Sequence, residues 1–264
     1  MLVILQHGLF GFGAKTIDTP LGPRTFDYFH DIAPLLRARG HQVLTPGVNP
    51  VGTVEQRSAQ MLAQIQASPI AAPFLGGKRI LVIAHSMGGL DARHLMSPVG
   101  QKMGGLFTAL VTIATPHRGS PVADAVGLAS GKFIASQLLY DIAGLDTLAV
   151  SNLTTAFCTK FDSEMTDDPG VRYYSISTDC PIDKVPPIFF FSFPLVRLAA
   201  GANDGVVPIS SSTHGTVLAP SWPVDHLRAI NMPWIVDLVV NPDDVIPRYN
   251  ALFDRLEKDG VLVP

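Results

Sequence analysis

Charge is scarce in this chain. Only 16% of its 264 residues are Asp, Glu, Lys or Arg, and 19 basic against 22 acidic side chains leave a formal net charge of -3. A balance that small, with no basic cluster, argues against electrostatic capture of nucleic acid. Cysteine is nearly absent: Cys158 and Cys180 are the only two, too few for a disulfide scaffold or a zinc motif. They could pair in an oxidising compartment or stay reduced in the cytosol. The first eight residues, Met-Leu-Val-Ile-Leu-Gln-His-Gly, lack a basic segment and a cleavage site. This favours a cytoplasmic location, unless a leader has been removed. The most apolar run, residues 188–196, is far too short to cross a bilayer. Internal repeats, low-complexity tracts and linker-like stretches are also missing, so one domain spanning 1–264 is expected.

What remains is oily. Hydrophobic residues make up 47% of the chain, and the mean hydropathy is +0.29. Such a composition excludes disorder and supplies a large core. It suits a thick buried sheet, or apolar surface around a mouth that receives an apolar substrate.

The order of patterns specifies the class. Residues 2–5, 79–84 and 110–114 are apolar runs suited to buried strands, and 42–45 is a short strand closed by Pro46-Gly47. Between them, 26–39 has helical spacing and ends at Gly40. Residues 53–67 open on Thr53 with Gln56 three residues later, a capping-box pattern. Residues 87–96 form a third helix stopped by Ser97-Pro98. Apolar strands alternating with helices predict a mostly parallel sheet covered on both faces. After residue 114 the alternation stops. Helical pieces over about 120–165 read as a cap or lid insertion, 171–176 resumes strand character, and 245–258 reads as a closing amphipathic helix.

The central chemical signal is Ala84-His85-Ser86-Met87-Gly88-Gly89, between a strand-like and a helix-like run. An α/β-hydrolase places its nucleophile on such a sharp turn, with small residues two before and two after it because the flanking backbones approach closely. Ser86 is the candidate nucleophile; a helix N-cap serine before a glycine turn is the plainer alternative. His7-Gly8-Leu9-Phe10-Gly11 follows the first strand. There an N–H could serve an oxyanion together with one from the residue after the nucleophile, making Leu9 and Met87 the candidate backbone donors. A plain turn with glycines at positive φ is the alternative. His7 and His85 are set aside as bases, because in this fold the acid and then the base follow the serine; each is expected to fix a loop through backbone hydrogen bonds. Asp204, in Asn203-Asp204-Gly205, is the candidate acid, and His226 is preferred as base over His214.

With these assigned, the chain resembles the bacterial true lipases, the family containing the Pseudomonas and Burkholderia enzymes. The stretches that carry the resemblance are His7-Gly8-Leu9-Phe10-Gly11, residues 84–93 and 112–120, Leu153-Thr154-Thr155 with Phe157, Tyr174-Ser175, Asn203-Asp204-Gly205 and Asp225-His226-Leu227. The resemblance implies an α/β-hydrolase fold, a lid over 120–160, and carboxylic esters of fatty acids as substrates. The apolar 120–160 insertion and the Phe189–Phe193 cluster suit a greasy acyl pocket or contact with a lipid–water interface, or the packing of a cap on the core. It departs from the family at Arg228, where those lipases usually have a calcium-binding Asp. No calcium, and no other metal or cofactor, is therefore expected. Arg228 is instead expected to pair with a carboxylate such as Asp183. Acyl transfer and polyester cleavage on the same triad, and a non-catalytic binding protein on the same fold, are the competing functions.

Overall fold

The computed structural model describes residues 1–19, 22–129, 147–218, 220–232 and 245–263. Its centre is a six-stranded, all-parallel sheet in the order β4-β1-β5-β6-β7-β8, formed by β1 (Leu2–Gln6), β4 (Gln42–Leu44), β5 (Ile80–His85), β6 (Phe107–Ile113), β7 (Arg172–Ile176) and β8 (Thr216–Val217). Every residue of β1 and β5 is buried, which is why these strands read as continuous apolar runs rather than alternating ones.

Alternate residues feed two cores. Val3, Leu5, Leu81, Ile83, Val111 and Ile113 point to one face, where α1 (Ile32–Ala38) and α9 (Ile246–Lys258) cover them with Ile32, Leu36, Tyr249 and Phe253. Leu2, Ile4, Ile80, Val82 and Leu110 point to the other, under Met61 and Ile65 of α2 (Val54–Ala67) and Leu95 and Met96 of α3 (Met87–Met96). Each such side chain contributes roughly 1.5–3 kcal/mol of burial. The capping box of α2 is present: Gln56 N–H donates to Thr53 Oγ1, and Thr53 N–H to Gln56 Oε1.

One local expectation is corrected. The helix expected over 26–39 begins only at Ile32. Phe26 instead closes an antiparallel hairpin of β2 (Lys15–Thr19) and β3 (Gly22–Phe26), and Asp31 sits at φ 61° just before the helix. The apolar run at 188–196 becomes a short 3-10 turn (Pro187–Phe189) and the start of α7 (Ser192–Ala200). Beyond β6 lie α4 (Pro121–Ala129), α5 (Thr147–Ser151), α6 (Thr155–Glu164) and, after α7, α8 (Ile209–Ser212). The interior of the expected insertion, 130–146, falls outside the described residues. No described helix is long and apolar enough to cross a membrane. Cys158 and Cys180 are both buried and unpaired. Burial pushes each thiol up to about 12, so neither is poised as a thiolate.

Candidate active site

At the end of β5 the chain turns through Ser86 with φ 54° and ψ -133°. A non-glycine residue held there costs on the order of 1–3 kcal/mol and persists only where its surroundings enforce it. Here Ser86 N–H donates to Ile113 O at 3.0 Å, and Gly89 N–H donates to Ser86 O at 3.0 Å. The small residues after the turn are required by contact. A Cβ on Gly88 would lie 2.6 Å from His7 O and 2.7 Å from Gln6 O, and one on Gly89 would meet the Thr115 hydroxyl. α3 can therefore start directly against the end of β1.

The loop after β1 faces Ser86. A Cβ on Gly8 would lie 2.7 Å from Ser86 Cβ, and one on Gly11 would strike the His7 side chain. Neither glycine is at positive φ; that conformation falls on Phe10, at 58°. Close approach, not turn geometry, explains glycine at 8 and 11. Among the described residues, neither Leu9 N–H nor Met87 N–H donates to a protein acceptor.

The loop is gripped from behind by a buried ion pair. Arg57 on α2 and Asp91 on α3 are both wholly buried and meet at 2.8 Å. Arg57 Nη2 also donates to His7 O at 2.7 Å, Arg57 Nη1 donates to Asn49 O at 2.9 Å, and Gln6 Nε2 donates to Asp91 Oδ2 at 3.1 Å. Burial pushes the Asp91 carboxyl up to about 6, against the opposing pull of Arg57 and Gln6.

Opposite Ser86, the structure brings in His226 and Asp204 from the C-terminal third. His226 Nε2 is 3.0 Å from Ser86 Oγ, and His226 Nδ1 is 2.8 Å from Asp204 Oδ2. Asp204 is wholly buried and accepts three further bonds: from Thr178 Oγ1 at 2.6 Å, Val206 N–H at 3.0 Å and Val207 N–H at 2.8 Å. With Asp204 at Nδ1, the His226 proton is held on that nitrogen, leaving Nε2 to accept from the serine.

The remaining histidines separate clearly. His7 is tethered to backbone as expected: Val48 N–H donates to its Nε2 at 3.1 Å, so its Nδ1–H donates to Gly8 O at 2.8 Å. Burial first, and Arg57 second, bring it down to about 4, and the ring is neutral. His85 Nδ1 meets the Tyr28 hydroxyl at 2.9 Å, its ring also feels the His226 backbone, and its ring centre lies 4.5 Å from that of His226. Burial holds it well below the ordinary histidine range, so a neutral ring packs beside His226. His214 bonds Asp167 Oδ2 at 2.8 Å and stacks on His117, away from Ser86.

Asp183 is exposed on the turn Ile182–Lys184 and does not pair with Arg228 among the described residues. Among the described residues, Asp225 lies beside Arg228: its Oδ1 accepts from Arg228 N–H at 3.0 Å, and its carboxyl feels the guanidinium charge. Arg228, a cation that cannot ligate calcium, stands where the resemblance implies a carboxylate ligand.

Three supporting residues escaped the sequence reading. Arg57 carried a usable signal, since it lies on the buried stripe of α2 with Val54, Met61 and Ile65, where a cation demands a partner. Tyr28 and Thr178 carried none that a single sequence displays.

No family model matches the chain. The chain is 30% identical over 291 residues to a triacylglycerol lipase of Vibrio cholerae, covering 98% of this chain and 88% of that protein. It is 31% identical over 208 residues to triacylglycerol lipase 2 of Saccharomyces cerevisiae, which takes in 78% of this chain and 62% of the yeast protein, less than two thirds of its length. Among solved structures, a metagenomic carboxyl esterase superposes with a TM-score of 0.76 at 18% identity, over 98% of this chain and 76% of that one. The mature lipase BlEst2 of Bacillus licheniformis gives 0.69 at 21%, over 95% and 90%. These structural matches carry the fold, which is that of the α/β-hydrolases. The sequence matches carry more: the chain belongs to the bacterial triacylglycerol lipase family, and it is a serine ester hydrolase. That conclusion displaces the reading of a non-catalytic binding protein.

Proposed function

We propose that the chain hydrolyses carboxylic esters of fatty acids through a Ser86–His226–Asp204 triad and an acyl-enzyme. The observation that carries this reading is the unbroken pair of short bonds from Ser86 Oγ to His226 and from His226 to Asp204. His226 Nε2 takes the serine proton as Oγ attacks the acyl carbon. The oxygen that gains charge is met by the N–H groups of Leu9 and Met87, an interaction whose single donors are typically worth about 2.7–4 kcal/mol. His226 then passes its proton to the leaving alcohol. In the second half it takes a proton from water, whose oxygen attacks the acyl carbon; as the bond from the acyl carbon to Ser86 Oγ breaks, His226 returns the proton to Oγ, releasing the acid and free Ser86. Asp204 orients the ring and offsets the imidazolium charge at each step. The buried, neutral His85 lets His226 gain that charge without a second cation beside it.

Residues 1–264 act as one catalytic domain, with 120–165 as a cap. Ala123, Leu153 and Phe161 pack with Met87 and Leu90 and against Leu9, giving an apolar wall beside the oxyanion donors. The exposed Phe191, just before α7, and Leu198 of α7, 92% and 93% accessible, offer contact with a lipid–water interface.

The test combines covalent labelling with substrate profiling. A fluorophosphonate should modify the peptide containing Ser86, and Ser86→Ala should abolish labelling and lower turnover at least about 10,000-fold. Native protein should act on emulsified long-chain glycerides as well as soluble p-nitrophenyl esters. Label on another residue would reject the triad. A maximum at C2–C4 esters with no action on emulsions would reject the lipid substrate and leave an esterase.

A further inference from the structure

A pocket lies away from Ser86, between the β8 edge of the sheet and α9. It is a groove of about 330 Å³, at the lower end of the range for small-molecule sites. Its floor is apolar, formed by Ile176, Leu218, Trp222 and Leu252, and its charged lining consists of Arg248 and Arg255. The two arginines differ. Arg255 Nε is compensated by Asp259 Oδ2 at 2.8 Å. The Arg248 guanidinium has no hydrogen-bond or ion-pair partner among the described residues, and its Nε is shut off from solvent. A desolvated N–H on a cation is costly to leave unmet. A groove lined by a guanidinium without a protein partner among the described residues, beside an apolar floor, matches a ligand with one anionic head and one apolar body.

We propose that this groove binds an alkyl carboxylate of medium chain length, its carboxylate on the Arg248 fork and its chain along Leu218, Trp222 and Leu252. Guanidinium and carboxylate match in a planar, two-bond geometry. None of the groove's lining residues belongs to the catalytic group, so this site is separate from the ester site. The same chemical class is the acid that the proposed hydrolysis releases. Assigning the natural ligand as product rests on that reading, whereas the site itself does not.

Decanoate binding, measured by calorimetry on Ser86→Ala protein and on native protein already blocked at Ser86 with fluorophosphonate, tests the site independently of turnover. One saturable site is expected in both, with a change in Trp222 emission that Trp222→Phe removes. Acetate, lacking the chain, and decanol, lacking the charge, should each bind at least about tenfold more weakly. Arg248→Leu should weaken decanoate at least about tenfold, and Arg248→Lys, which keeps the charge but loses the fork, by less. The proposal falls if Arg248→Leu binds like the parent, if decanol matches decanoate, or if blocking Ser86 abolishes binding. It also falls if decyl phosphate binds tenfold tighter than decanoate, which would assign the groove to a lipid phosphate. Should Arg248→Leu fail to fold, the Lys variant decides: unchanged decanoate and decanol affinities would reject the site.

Discussion

The two sides of the ester site are held by different means. On the Ser86 side the contacts reach far along the chain: Arg57 to His7 across 50 residues, Arg57 to Asp91 across 34 and Gln6 to Asp91 across 85. On the Asp204–His226 side many supports are local. Asn203 Oδ1 accepts from Gly205 N–H, Asp204 Oδ1 from Val206 and Val207 N–H, and Asp225 Oδ1 from Leu227 and Arg228 N–H. The first side assembles only when the whole sheet has formed. The second is largely a set of Asx turns that each short loop makes for itself. The Ser86 side is therefore the brittle one, because single losses there strand buried charge.

The sharpest way to break this contrast is Arg57→Leu. It leaves Asp91 buried without its cation and the His7 carbonyl without its donor, and should cost about 3–5 kcal/mol in denaturant unfolding. The double change Arg57→Leu/Asp91→Leu should recover much of that loss, since it removes the stranded charge. A single-variant cost below about 1 kcal/mol would erase the distinction between the two sides.

Acid provides the next test. Folded His7 titrates at about 4 against 6.5 unfolded, so above pH 6.5 both states are neutral and the group is silent. As pH falls from 6.5 toward 4, the unfolded chain binds a proton that the folded protein refuses, and stability drops. By pH 4.5 the His7 share is about 2–3 kcal/mol. Asp91 works in the opposite direction. Its folded value of about 6 lies above the ordinary 3.8, so protonation below pH 6 favours the folded state and offsets part of the loss. His7→Asn should accordingly show a shallower decline between pH 7 and 4.5 than the parent; parallel curves would mean that His7 takes up its proton without strain.

The smallest effect is expected on the other side. Thr178→Val removes one of four bonds to Asp204. With three left, kcat on a soluble ester should fall about tenfold, equivalent to about 1.4 kcal/mol, with little change in KM or unfolding midpoint. A hundredfold loss would make Thr178 as indispensable as the Ser86-side contacts.

Much of the frame was legible because burial on both faces makes a strand read as an apolar run, as in β1 and β5. The α2 capping box was equally clear. Ser86 and His226 could be proposed as partners because the fold constrains their order along the chain. The rest depended on contacts that one chain read linearly does not display. Phe26 and Phe29 mimic helical spacing although β3 and a turn separate them from α1. Arg57 shares the apolar stripe of its helix, and its reason for being there, Asp91, sits on another. Thr178 is one hydroxyl just beyond β7 whose value depends on where Asp204 folds back.

The backbone at residue 86 also limits which side chains can occupy it. At φ 54° a second branch on Cβ would crowd the main chain, so threonine, though it carries a hydroxyl, is a poor occupant. Cysteine has the same unbranched outline as serine and fits the bend. With Ser86 as the proposed nucleophile, any drift toward a different one on this scaffold is channelled toward sulfur rather than toward the other alcohol.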